Sequence, residues 1–138
     1  MYTLDTDTCI FWLKGDSSIR SRVEQEGKAN IRTTLITACE LYFGAYNSQQ
    51  KQKNLAALDE LFKELEVIQT TFEVAQIFGD IKARLRSEGK IINDADILIA
   101  SMVIANKGIL VTNNTAHFER IPELKLENWR QQPISSNS

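Results

Sequence analysis

Four carboxylates stand at three widely separated places along this chain of 138 residues where packing alone does not call for a charge. Asp5 closes the apolar start Met1-Tyr2-Thr3-Leu4. Glu40 interrupts the largely apolar run Leu35-Ile36-Thr37-Ala38-Cys39-Glu40-Leu41-Tyr42-Phe43. Asp94 and Asp96 stand directly before Ile97-Leu98-Ile99-Ala100. Carboxylates are seldom buried unless they are paired or bind a metal. If folding gathers these four, a divalent cation is the simplest relief of their repulsion. The chemistry that follows is metal-assisted hydrolysis of a phosphodiester. Hard oxygen donors select Mg²⁺ or Mn²⁺, with waters filling the remaining positions.

Each acid also has a plainer explanation. Asp5-Thr6-Asp7-Thr8 is rich in helix-capping residues. Two acids and two hydroxyls nevertheless exceed what one helix start needs. Asp5 is therefore the first expected ligand, with Asp7 as the cap or a hydrogen-bonding neighbour. Glu40 has Ile36, Thr37, Phe43 and Gly44 three and four positions away on a helix. No Lys or Arg lies within that reach. It either occupies a narrow exposed stripe or points inward, and the inward reading requires a proton, a partner or a metal. Gly44, one turn later, is expected to admit another element closely. Asp94 and Asp96 are two apart and cannot share a helix face, so one can cap while the other faces a site. Asn93 with Asp96 would also resemble a capping box. Asp96 then lies at a helix N-terminus, which favours an ionised carboxylate. Asn113 and Asn114 suit a turn, or a neutral oxygen ligand beside a metal-bound water. Thr37 and Thr112 are read as hydrogen-bonding neighbours of the acids. His117 is the only histidine and has no partner at zinc spacing, so it is read as a surface or structural residue. No Ser-His-Asp set and no glycine-rich phosphate loop is legible.

The elements that must carry these residues alternate in type. Tyr2 to Leu4, Asn30 to Thr33, Val67 to Thr70, Ile109 to Thr112 and Leu124 to Leu126 read as short strands. Helices are expected over Thr8 to Lys14, from Asp16 or Ser17 to Gly27, and from Thr33 or Thr34 to about Ser48. Others are expected over Lys51 to Leu65, Phe72 to Glu88 and Asn93 to Lys107, ending at glycines where Gly15, Gly89 and Gly108 occur. Strands alternating with helices through short connections predict an α/β fold with a mainly parallel sheet. Ligands of such sheets sit at the carboxyl ends of the strands. Asp5 and Asn113-Asn114 both follow strand candidates, so their loops can share one rim.

The length suits one domain, expected over residues 1–130, followed by a polar and disordered tail over 131–138. The chain is 43% hydrophobic and 25% charged, an ordinary globular balance. No apolar stretch is long enough for a membrane span, and a secretory signal is not recognisable. Cys9 and Cys39 make no disulfide framework and are read as reduced, buried thiols of a cytoplasmic protein. The net charge of −2 argues against a non-specific nucleic-acid coat. A local basic stretch, Lys82, Arg84, Arg86 and Lys90, is either a solvated helix face or a set of RNA-phosphate contacts.

Four ordered segments resemble the PIN-domain family, in particular its VapC-type toxins. Leu4-Asp5-Thr6-Asp7 resembles the family's opening Leu-Asp-Thr-Asn. Thr37-Ala38-Cys39-Glu40-Leu41-Tyr42-Phe43-Gly44 resembles its helix with Thr, Glu-Leu and Gly. Asp96-Ile97-Leu98-Ile99-Ala100 resembles its third acid followed by Ile-Ala. Val111-Thr112-Asn113-Asn114 through Phe118, with Ile121-Pro122 and Leu126-Glu127-Asn128-Trp129, resembles its closing segment. The resemblance implies a three-layer α/β/α fold with Asp5, Glu40 and Asp96 as the acidic core of a metal site. The fourth family position, often Asp, falls on Asn114. Asp7 stands where Asn is usual, and Asp94 is an additional acid; either supplies the missing charge. The resemblance further implies an endoribonuclease acting on RNA such as tRNA, a homodimer, and inhibition by a VapB-type antitoxin. Two other readings stand beside it. Asp5-Thr6-Asp7 also resembles the nucleophile–acid pair of haloacid-dehalogenase-like phosphatases, although that leaves Glu40 unexplained. Asn114 alternatively marks a degenerate PIN domain that binds without cleaving.

Overall fold

The computed structural model describes residues 1–130; the expected tail at 131–138 lies outside the described residues. Five three- or four-residue strands form one parallel sheet: β1 (Tyr2–Leu4), β2 (Ile31–Thr34), β3 (Glu66–Ile68), β4 (Ile109–Val111) and β5 (Lys125–Glu127), in spatial order β3-β2-β1-β4-β5. Parallel pairing requires crossovers, which helices supply. These are α1 (Thr6–Leu13), α2 (Ser17–Glu26), α3 (Leu35–Tyr46), α4 (Lys51–Glu64), α5 (Phe72–Ser87), α6 (Asp94–Ala105) and α7 (Thr115–Phe118). The expected α/β/α layering is what forms. No periodic pattern announces α7, and a single 3₁₀ turn over Lys28–Asn30 delays β2 by one residue.

Period-two alternation divides the core. Leu4 and Val111 face one side of the sheet, with Cys9, Ile19, Val23, Leu41, Leu58 and Leu61. Leu110 faces the other, with Ile81, Leu85, Ile97, Ala100, Val103 and Phe118. Both sides of β4 are thus covered, which is why it reads as continuously apolar. Cys9 is fully buried as expected, and burial pushes its thiol up to about 12. Cys39 is exposed, contrary to expectation, because it faces away from the sheet on α3.

Hydroxyls and amides fix where the helices begin. Thr34 accepts from the amide of Thr37, Thr71 from Val74 and Asn93 from Asp96. Each such cap contributes about 1 kcal/mol. Asp5 itself caps α1, which starts at Thr6 rather than Thr8, so Asp7 is not the cap.

Two glycines behave unlike their expected roles. Lys107, at φ 57°, takes the left-handed turn after α6. Gly108 instead lies against β1, where a Cβ would come 3.0 Å from the Met1 carbonyl oxygen. Gly44 admits no neighbour at all; a Cβ there meets nothing within 4 Å. Alanine at the two sites should therefore shift stability in opposite directions. Gly108→Ala should cost about 1–3 kcal/mol by overpacking. Gly44→Ala should add about 0.5–1 kcal/mol of helix stability. Urea unfolding of the two variants checks this, and a shift of the same sign in both would contradict the packing described.

Candidate metal and active site

The strand order reverses direction at β1: the chain runs outward through β2 and β3, then returns to pair β4 on the other side of β1. Ligands of open α/β sheets bind in the crevice at such a switch point, beyond the strands' carboxyl ends. Asp5 is the first residue past β1 and Thr112 the first past β4. The Asp5 amide donates to the Val111 carbonyl at 3.0 Å, which locks the two strand ends together.

Asp5 is buried, with a relative exposure of 6%. Its Oδ1 accepts from the Thr8 amide at 2.9 Å. Burial pushes its carboxyl above the usual 3.8, and hydrogen bonds from the Thr112 side chain and from Thr8 partly oppose this. Asp7, exposed one turn position on, adds a small repulsion in the same direction as burial. No Lys, Arg or His lies in ion-pair reach of Asp5 among the described residues.

Glu40 does not point into the core; it is exposed on α3. The helix turns its apolar stripe, Thr37, Leu41 and Ala45, to the sheet, and Glu40 falls beside that stripe. Its Oε1 lies 2.5 Å from Thr6 Oγ1, and Thr6 Oγ1 lies 3.2 Å from Thr37 Oγ1. A hydroxyl has one hydrogen. The carboxylate takes it from Thr6, which leaves Thr37 to donate to Thr6. Glu40 is thereby tied to the residue that follows Asp5.

Asp96 sits at the third position of α6, and half of the expected capping box forms: Asn93 Oδ1 accepts from the Asp96 amide, while the Asn93 side-chain amide, rather than its backbone N–H, donates to Asp96 Oδ2 at 3.0 Å. His117, expected to be a bystander, also contacts Asp96 Oδ2 at 3.0 Å. It arrives there because α7 follows Thr112 directly. The Asn114 amide donates to Thr112 Oγ1, and the Asn114 carbonyl accepts from the His117 amide. Hydrogen bonds therefore run from Thr112 through Asn114 and His117 to Asp96, and the Thr112 side chain also favours the ionised form of Asp5. Thr6 and His117 escaped the sequence reading. Thr6 carried a signal, a hydroxyl between two acids, whereas His117 depended on the unforeseen α7.

Other expected members stand apart. Asp94 pairs with Lys82 at 2.9 Å, turned away on the neighbouring helix face. The Asn114 side chain is exposed and makes no cap on α7. Among the described residues, no three Asp, Glu, His or Cys side chains form a ready cage for an ion. The donors nevertheless fit a hard divalent cation in kind. Such ions, Mg²⁺ above all, are often held by one or two carboxylates with waters completing the shell. A buried carboxylate lacking any cationic partner supplies the charge for one.

The sequence matches the PIN domain family over residues 2–124. The chain belongs to that family. Ribonuclease VapC2 of Rickettsia felis is 37% identical over 131 residues, covering 94% of this chain and 98% of its own. The tRNA(fMet)-specific endonuclease VapC of Shigella flexneri is 35% identical, covering 93% and 97%. The crystal structure of VapBC2 from Rickettsia felis bound to a promoter DNA fragment superposes with a TM-score of 0.88 at 36% identity, covering 93% and 98%. PIN membership replaces the phosphatase alternative, in which Asp7 would have to act from the exposed position it occupies.

The raised Asp5 carboxyl makes a prediction for the metal-free protein. A folded-state value above the unfolded one means the native state binds the proton more tightly. Ionised Asp5 therefore costs stability at neutral pH, and the cost fades as pH falls through the raised value towards 3.8. Asp5→Asn keeps a capping oxygen. In chelator it should melt above the wild type at pH 7.5, with the difference closing towards pH 4. Calorimetry across that range tests it; a lower melting point for the variant throughout would contradict the cost of burial.

Proposed function

We propose that this protein is a divalent-metal-dependent endoribonuclease toxin that acts in the cytoplasm on RNA, with tRNA as the substrate class. The observation that carries the reading is Asp5, a buried carboxylate without a counter-ion at the sheet's switch point, whose chain neighbour Thr6 is hydrogen-bonded to Glu40. Asp5 and Asp96 hold Mg²⁺ or Mn²⁺; Glu40 binds it or orients water; Asn114 positions water or substrate. The ion supplies an activated water and neutralises charge developing on the phosphate. Thr112 and Thr8 hold Asp5 in place, while Thr6 and Thr37 hold Glu40. The relatives named ribonuclease and tRNA endonuclease support the activity.

The basic stretch divides under this reading. Arg84 is occupied by Asp80 and Glu123, and Lys82 by Asp94. Lys90 makes only a 3.5 Å contact with Glu88, and Arg86 has no acid within ion-pair reach among the described residues. Arg86 and Lys90 are the stronger RNA contacts, and Arg84 is withdrawn from that role.

The partner is a VapB-type antitoxin, in keeping with the VapBC assembly above. A groove of about 480 Å³ runs between α1, α3 and α4, lined by Ile10, Leu13, Leu41, Leu58 and Glu40. Phe43 and Tyr46, 70% and 61% exposed, stand on α3 beside it. An antitoxin segment seated there would lie against Glu40 and close the site. The toxin itself is a homodimer in this reading.

Purified protein incubated with total RNA should cleave with Mn²⁺ or Mg²⁺ and not with chelator, with the new ends read by sequencing. Asp5→Asn and Asp96→Asn should each lower cleavage by about 100-fold or more, as expected when several kcal/mol of metal-borne stabilisation is lost. Cleavage unchanged in either variant sinks the assignment. Absence of cleavage with RNA still bound would favour the degenerate binding module that Asn114 suggests.

Phe43→Asp should leave cleavage intact and weaken inhibition by co-purified antitoxin about tenfold or more, as truncation of a buried aromatic anchor does. Full inhibition of that variant would exclude this groove.

A further inference from the structure

Two donors converge on one oxygen of Asp96 and none on the other. Asn93 Nδ2 and His117 Nε2 each lie 3.0 Å from Oδ2. An ionised carboxylate only accepts, so His117 Nε2 must carry its hydrogen. The lone pairs of Oδ2 are then used, while Oδ1 has no protein partner in the hydrogen bonds and ion pairs described. The two contacts differ in origin. Asn93 is the cap of the same helix, three residues away, and its side-chain amide reaches Asp96 from within that helix start. His117 comes from α7, 21 residues later, and ties Asp96 to the β4 rim. Its ring is itself held: it meets the Phe118 ring edge-on at 5.2 Å, and Phe118 is buried beneath it. Its amide is bonded to Asn114, whose own amide is bonded to the Thr112 hydroxyl that reaches Asp5.

We propose that His117 is a positioning residue for the metal site: it anchors Oδ2 of Asp96 so that Oδ1 is presented to the divalent cation. The inference rests on the nuclease reading and adds one residue to it. Partners that orient a ligating group are worth about 10–100-fold in metal affinity. A purely structural role, joining α7 to α6 by packing, would make no such demand on a hydrogen-bond donor at this position.

Two variants of similar size separate these roles. His117→Gln keeps an N–H donor near the Nε2 position; His117→Met fills the space without one. Calorimetric titration with Mn²⁺ should find the Gln variant close to wild type and the Met variant roughly 10–100-fold weaker. Equal affinities of the two variants, whether strong or weak, overturn the proposal while leaving the nuclease reading intact. No Mn²⁺ binding by the wild type overturns both. A readout without metal stands beside these: nitrogen-15 spectra of the histidine ring should show hydrogen on Nε2. A neutral ring protonated on Nδ1 instead would overturn the proposal whatever the variants do.

Discussion

The burial of one carboxylate organises the rest of this structure. Asp5 follows β1, the central strand, and so stands at the crevice where the sheet reverses. It also caps α1, whose first turn packs Thr8 and Cys9 against the sheet. The cap demands an oxygen and would be served by Asn or Ser as well. The charge is what the cap does not need. The groups that favour its ionised form are neutral: the Thr8 amide, which donates to it, and the Thr112 side chain. Neutral donors reduce the cost of the charge without cancelling it; a proton meets the remainder at low pH, and a cation entering from solvent would meet it at neutral pH.

On the proposed reading, the remaining acids would share that cation rather than enclose it. Glu40 Oε1 is engaged by Thr6 and Asp96 Oδ2 by Asn93 and His117, each acid spending one oxygen on the protein. The free oxygens sit on α3 and α6, which follow β2 and precede β4. Such a site holds its acids by their backs. It avoids placing three bare carboxylates in contact, which would be costly in the absence of metal, and it leaves room for the waters that Mg²⁺ retains.

What could be read from the sequence follows from the range of the forces involved. The strands, most helix starts and the Asn93–Asp96 cap are local patterns, and they appear within a residue or two of their expected places. Asp5 was legible because an acid directly after a buried strand has few other uses. The orientation of Glu40 stayed open between an exposed stripe and the interior, and the exposed reading is the one that holds. Its apolar neighbours suggested burial, but the helix buries only Thr37, Leu41 and Ala45, and a residue beside that stripe can be exposed yet face the site. Gly44 misled for the same reason, since it borders an open groove. His117 was lost because its role depends on α7, a single turn set by tertiary contacts with no periodic signal of its own. Asp94 and Asp96 could be told apart only once Lys82, on another helix, claimed Asp94.

The charge distribution bears on how such a site would select RNA. A nuclease with a net charge of −2 cannot rely on diffuse attraction, and the cations of α5 are mostly cancelled where they stand. Lys82 meets Asp94, while Arg84 meets Asp80 and Glu123. Lys14 and Lys53, which line the groove beside Glu40, enter no ion pair among the described residues and remain free to meet phosphates. On the proposed reading a bound ion would add positive charge at the same place. Attraction would then be concentrated where the scissile phosphate would sit rather than spread over the whole surface.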